Sequence, residues 1–342
     1  MTRLLYFEPL WVAGVAVFVL LPGRWLPAAW QPVVVGALFV GWLLRGLATR
    51  RLLPPAPLHV ALGVLLLWLP VNIWAAVDTV VAWQAAGYLL LGVAGYGAAI
   101  AWAPLQVRPQ MLAWLLVALA GVLALAGPLL ATSEAAWPLI GSLQQAVAPI
   151  TTRLGETINP NILAGAIVVL LPLVVALALD GTAASRFDRW RRAVLWLLAG
   201  LIVVVVTLAA SRGALLGVSA GLLIVIVRRW PRLRWAAPVV MLAGIGVIIW
   251  LAPASWLNQL DSGGVVGGMD ERIEIWSRAL YALQDFSFTG VGLGAFNQVI
   301  PLLYPYFLIS PTVDIPHAHN LVLQVGVDLG IPGLIAWLAI LI

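Results

Sequence analysis

The feature that most constrains this chain is a succession of apolar runs, several of them eighteen residues or longer, separated by short polar breaks. Hydrocarbon offers no partner to a backbone N–H or C=O, so a segment crossing it must satisfy those groups within itself. A helix of about twenty residues does this and spans the bilayer core. Composition agrees: 63% hydrophobic residues, 9% charged residues and a mean hydropathy of +1.06 lie far from the soluble range. The expected fold is all-α, a polytopic transmembrane helical bundle forming a single membrane domain over residues 1–342. Cysteine is absent, which excludes disulfides and thiolate metal sites. The 18 tryptophans suit anchoring at both membrane faces.

Nine spans can be drawn before a long polar segment, at roughly 4–22, 26–47, 57–77, 80–103, 110–131, 160–180, 193–210, 213–227 and 236–252. A tenth follows that segment. The basic residues are all arginine, eighteen in number. With a cytoplasmic N-terminus, all but Arg24, Arg153, Arg212, Arg272 and Arg278 fall on the inside, which fixes the orientation by the positive-inside rule. Orientation also accounts for most of the net charge of +5, so no nucleic-acid partner is expected. Membrane lipids are the expected surroundings. No small-residue cleavage site marks the first apolar run as a signal peptide. The last one, Ile331 to Ile342, has no polar tail, so the native chain is expected to continue.

Two outside segments are long. Residues 132–159 end in Asn159-Pro160-Asn161, an Asn cap followed by proline at the first helical position. Residues 253–316 form an extracytoplasmic loop and cap. They include a flexible glycine-rich stretch, Ser262 to Gly268, and a short amphipathic helix, Asp270 to Asp285. Asp270, Glu271 and Glu274 suit its positive end, and Ile273, Trp276, Leu280 and Leu283 mark its expected apolar face. Gly290 to Gly294 lacks the strand before it and the Gly-Lys-Ser/Thr ending of a phosphate loop, and reads as a flexible turn.

His317-Ala318-His319-Asn320 closes the polar segment with two of the chain's three histidines. Imidazole exchanges a proton near neutrality, which points to chemistry at the bilayer surface. The plainer reading is a pair of interfacial polar residues at a helix start. Arg212, in the short break between spans seven and eight, lies at the outer surface. It either faces a polar cavity or snorkels to headgroups. Arg272 and Arg278 carry the fork that suits phosphate oxygens, against a competing surface pairing with Glu271, Glu274 or Asp285. His317, His319 and Asp314 could offer three metal ligands, but residues two apart diverge on a helix and converge only in extended chain. Gly213, Gly217 and Gly221 recur every fourth residue and suit close helix packing. His59 starts span three and reads as structural.

These residues, in this order, resemble the O-antigen ligase and O-antigen polymerase superfamily. His319-Asn320, nine residues, then Gly330 and Gly333 is similar to its His-Asn-x9-Gly-x-x-Gly signature. Asn159-Pro160-Asn161, Ser211-Arg212-Gly213, Arg272 with Trp276, and the Gly290–Gly294 turn before Phe296 add to the likeness, which covers residues 157–335. The resemblance implies about twelve spans, of which about ten are present here. It implies a metal-independent, cofactor-free GT-C glycosyltransferase of the bacterial inner (cytoplasmic) membrane, with its active site facing the periplasm or exterior. The reaction implied is glycan transfer from a polyprenyl (undecaprenyl) diphosphate donor to a lipid or glycan acceptor hydroxyl, as O-antigen ligase or polymerase. His319 becomes the catalytic base and Arg212 and Arg272 the diphosphate ligands, with Arg278, His317 and Asn320 as further substrate-binding candidates. A protein O-oligosaccharyltransferase shares the pattern. An inorganic-carbon transporter and a non-catalytic scaffold are the alternatives from other classes. No internal repeat of the transporter kind is visible.

Overall fold

A computed structural model describes residues 2–20, 26–50, 56–102, 109–131, 159–180, 185–209, 211–236 and 269–342, with a few single positions between them. All regular structure among the described residues is helical. Thirteen α-helices are labelled here: α1 Thr2–Leu20, α2 Gln31–Leu38, α3 Val40–Thr49, α4 His59–Ala75, α5 Thr79–Trp102, α6 Pro109–Leu130, α7 Pro160–Val168, α8 Leu171–Leu179, α9 Arg186–Leu208, α10 Arg212–Arg229, α11 Met269–Asp285, α12 Phe296–Leu303 and α13 Leu321–Leu341. Contacts divide the chain into two compact units, Met1–Arg108 with Gly264–Ile342, and Pro109–Gly263.

Six helical stretches among the described residues are long and apolar enough to cross a membrane: Ala28–Leu47, Thr79–Ala101, Gln110–Leu130, Pro160–Leu179, Arg186–Leu208 and Leu321–Leu341. Among the described residues, the expectation of about ten spans is not confirmed. Phe7–Leu20 and His59–Ala75 are apolar but shorter. The eighteen residues of α10 include Arg212, Arg228 and Arg229. Most of the expected span at 236–252, the glycine-rich stretch at 262–268 and most of 132–159 lie outside the described residues.

In the first unit, α1, α2 and α5 bury Val12, Val19, Val34, Val35, Leu38, Ala82 and Ala86 around one core. Arg45 of α3 meets Glu8 of α1 at 2.6 Å, both almost fully buried. Gly41 stands where a Cβ would come 2.8 Å from Glu8 Cγ, so the missing side chain makes room for the acid. The cap, residues 269–320, packs on α13 through Ile275, Ala279, Ala282, Phe296, Ile300, Ile315, Ala318 and Val327.

In the second unit, α6, α7, α8, α9 and α10 enclose Leu163, Ile167, Leu171, Val174, Leu195 and Ile202. Asn159 caps α7 by accepting the Asn161 N–H at 2.9 Å, with Pro160 at the first helical position. The glycine ladder of α10 divides: a Cβ at Gly217 would meet Val168 and one at Gly221 would meet Pro172, whereas one at Gly213 would meet nothing within 4 Å among the described residues.

The cap helix α11 departs from the expected face. Ile273 is 53% exposed and Leu280 47%, while Glu274, Ile275, Ala279 and Ala282 are buried. Two alanines let this face approach closely, and a carboxylate can be buried on it because its lone pairs are filled.

Candidate active site

The site begins with α13. Asn320 caps it, accepting the N–H groups of Val322 at 3.0 Å and Leu323 at 3.2 Å. Its side chain is therefore occupied by the helix, although the sequence marks it as a substrate contact. Nearly three turns further on, the helix breaks at Gly330, with φ 69° and ψ −178°. Only glycine adopts that conformation readily, and a Cβ there would run into the Phe288 carbonyl. The signature glycine thus has a backbone reason.

The break strips carbonyls of their helical partners, and the rest of the first unit replaces them. Val327 O accepts Val291 N–H at 2.8 Å, Asp328 O accepts Asn72 Nδ2 at 2.5 Å, and Leu329 O accepts Trp68 Nε1 at 2.8 Å. Beyond the break, Ile331 N–H donates to Ser287 O at 2.8 Å. Asn72 also donates to Thr289 O at 2.7 Å, and its Oδ1 accepts Leu293 N–H at 3.2 Å. The Gly290–Gly294 segment is consequently a packed joint rather than a flexible turn. Its three glycines all have positive φ, and a Cβ at Gly292 would stand 2.6 Å from Ala76 Cα.

At the N-terminal end of α13, the Ala318 peptide is held from both sides. Its N–H donates to Gln324 Oε1 at 2.7 Å and its carbonyl accepts Trp276 Nε1 at 3.1 Å. His317 and His319 flank it with ring centroids 4.3 Å apart, His317 exposed and His319 half-buried. His319 has φ 50°, a left-handed backbone uncommon outside glycine. Burial pushes its imidazole from 6.5 down to about 4, and the neighbouring His317 and Arg272 push the same way. Partial desolvation lowers His317 too. The imidazole of His319 is therefore neutral at pH 7 and able to take a proton.

The two cap arginines differ in their commitments. Arg278 reaches Glu274 Oε1 at 3.4 Å, donates from Nε to Pro305 O at 3.0 Å and lies over the Phe307 ring. Glu274 in turn accepts the N–H groups of Phe307 at 2.6 Å and Leu308 at 2.9 Å. This pair ties α11 to the chain after α12. Arg272 has no hydrogen bond or ion pair with any described residue, and its Nε is buried. It is the cation near His319 that keeps its donors available. Asp314 accepts from Asn297 at 3.3 Å, and among the described residues no three His, Asp or Glu groups converge to hold a metal. Arg212 is the first residue of α10, in the second unit.

Sequence reading missed Asn72, Gln324 and Asp328, whereas Glu274 was among the expected partners of the cap arginines. A signal existed for Asn72 and Asp328, as polar groups inside apolar runs. None marked Gln324.

Helices long and apolar enough to cross a bilayer, with a cap holding a neutral imidazole beside an uncommitted guanidinium, define a multi-pass membrane protein with a candidate anion-binding site. A model of the family described as O-antigen ligase matches residues 197–338. The matched stretch includes Arg212, Arg272, His319 and Gly330, and supports the resemblance to the O-antigen ligase and polymerase superfamily. No curated protein and no solved structure matches the chain.

Proposed function

We propose that this protein transfers a glycan from a polyprenyl diphosphate to an acceptor hydroxyl at the outer face of the bacterial inner membrane, as an O-antigen ligase or polymerase. The chain works as one membrane domain with residues 253–316 as its cap. The observation that carries the reading is His319, neutral and fixed next to Arg272, inside the stretch that matches the O-antigen ligase family.

The acceptor oxygen attacks the anomeric carbon as His319 takes its proton. The bond from that carbon to the diphosphate oxygen breaks, and the electron pair leaves with the diphosphate. Attack opposite the leaving group inverts the anomeric centre. Charge develops on the diphosphate, and fixed cations in a water-poor site stabilise it well. Arg272 supplies one, and Arg212 is proposed to supply a second. This lets the reaction run without a metal. Burial lowers the imidazole most, and the negative charge of a bound diphosphate acts in the opposite direction, against the Arg272 contribution. His317 is proposed to line the acceptor side.

The test is transfer from purified undecaprenyl-diphosphate glycan to lipid A core or to a second glycan, with and without chelator. Product in both arms is expected. Product lost to chelator would contradict the arginine-only mechanism.

A further inference from the structure

We propose that Gln324, backed by Asp328, is the positioning residue that sets the reactive orientation of His319. This inference rests on the transferase reading above.

Gln324 lies in the first turn of α13, and its amide is used at both ends. Oε1 accepts the Ala318 N–H at 2.7 Å and Nε2 donates to Asp328 Oδ1 at 2.9 Å. An amide could in principle sit either way round. The Ala318 N–H removes that freedom, since it can only donate and so draws Oε1 towards itself. Nε2 is then left to donate to Asp328. Asp328 is itself anchored, because its carboxylate takes the Gly294 N–H and its carbonyl takes Asn72 Nδ2. The chain of bonds runs from the packed glycine joint, through Asp328 and Gln324, to the His317–Ala318 peptide, one residue before His319.

That peptide needs such support. His319 is held at φ 50°, where a residue with a side chain stays only if its surroundings fix it. Trp276 grips the carbonyl of the Ala318–His319 peptide and Gln324 grips the N–H of the His317–Ala318 peptide, so Ala318 is fixed on both sides and the backbone entering His319 cannot turn freely. Releasing one grip lets the backbone relax and the imidazole move towards solvent, away from Arg272. Misplacement of a catalytic group by about 1 Å costs on the order of a hundredfold in rate.

The test uses two readouts. The chain has three histidines, so the His319 signal in a 15N-histidine NMR titration is assigned by its loss in His319→Gln. Transfer kinetics supply kcat and KM. Gln324→Met keeps the volume and removes both hydrogen bonds. Its His319 midpoint should rise from about 4 towards 6.5, with kcat down about 10- to 100-fold and KM little changed.

Gln324→Glu should also lose kcat, because two carboxylates then face each other. Adding Asp328→Asn supplies an amide donor towards the new carboxylate and should recover kcat. If Gln324→Met does not fold, this pair carries the test alone. An unchanged midpoint and kcat in Gln324→Met, or no recovery in the double variant, would overturn the proposal. No product from the unsubstituted protein, with the His319 midpoint still moving in Gln324→Met, would sink the transferase reading and leave the positioning intact.

Discussion

Two arginines six residues apart on α11 illustrate why residue type alone does not assign a role. Arg278 is committed to Glu274, Pro305 O and the Phe307 ring, while Arg272 bonds to no described residue. Arg272→Gln should therefore lower kcat/KM by about two to three orders of magnitude without loss of folded protein. Arg278→Gln should act on stability, lowering the melting temperature more than the rate per folded molecule. Equal kinetic losses in the two variants would contradict the distinction. His319 adds a pH signature. Its folded pKa of about 4 lies below the ordinary 6.5, so between these values the unfolded chain binds more protons. The contribution of His319 to stability is complete above pH 6.5 and is lost as pH falls towards 4. Melting temperatures measured across that window should drop with acidification, and His319→Gln should flatten the drop.

At the level of elements, the broken helix α13 and the glycine joint form one structure, and the side chain that fastens them is Asn72. Asn72→Leu leaves the carbonyls of Thr289 and Asp328 and the N–H of Leu293 without their partner, at about 1–3 kcal/mol each where buried. A clear fall in melting temperature in detergent is expected, and an unchanged one would show that water or lipid headgroups replace the amide.

Much of this level was legible beforehand. The expected 80–103 and 110–131 are Thr79–Trp102 and Pro109–Leu130, and the cap helix expected at Asp270–Asp285 is Met269–Asp285. Hydrophobic length and cap chemistry are local, so sequence carries them. The interruption between α2 and α3 at Phe39 and the break at Gly330 were not legible, because an apolar helix shows no change of pattern where its ladder breaks. The buried face of α11 was misread for a related reason: bulk was taken for burial, whereas Ala279 and Ala282 make the close contact. His319 and Arg272 were visible as motif residues. Gln324 and Asp328 were not, because their importance comes from one hydrogen bond to the peptide one residue before the histidine.

For the whole molecule, the arginine distribution predicts the cap outside and the turn around Arg232 inside. The chain has no cysteine, so single introduced thiols report their own side of the membrane. Leu308→Cys, on an exposed cap position, should react with a membrane-impermeant maleimide in intact cells, and Arg232→Cys should react only after the membrane is opened. The reverse pattern would invert the topology. The central claim is that one imidazole deprotonates the acceptor in a glycan transfer. Its most direct measurement is the rate of transfer from purified undecaprenyl-diphosphate glycan by folded His319→Ala beside the unsubstituted protein. Product from the unsubstituted protein and none above background from His319→Ala is the predicted result, and equal rates would contradict it.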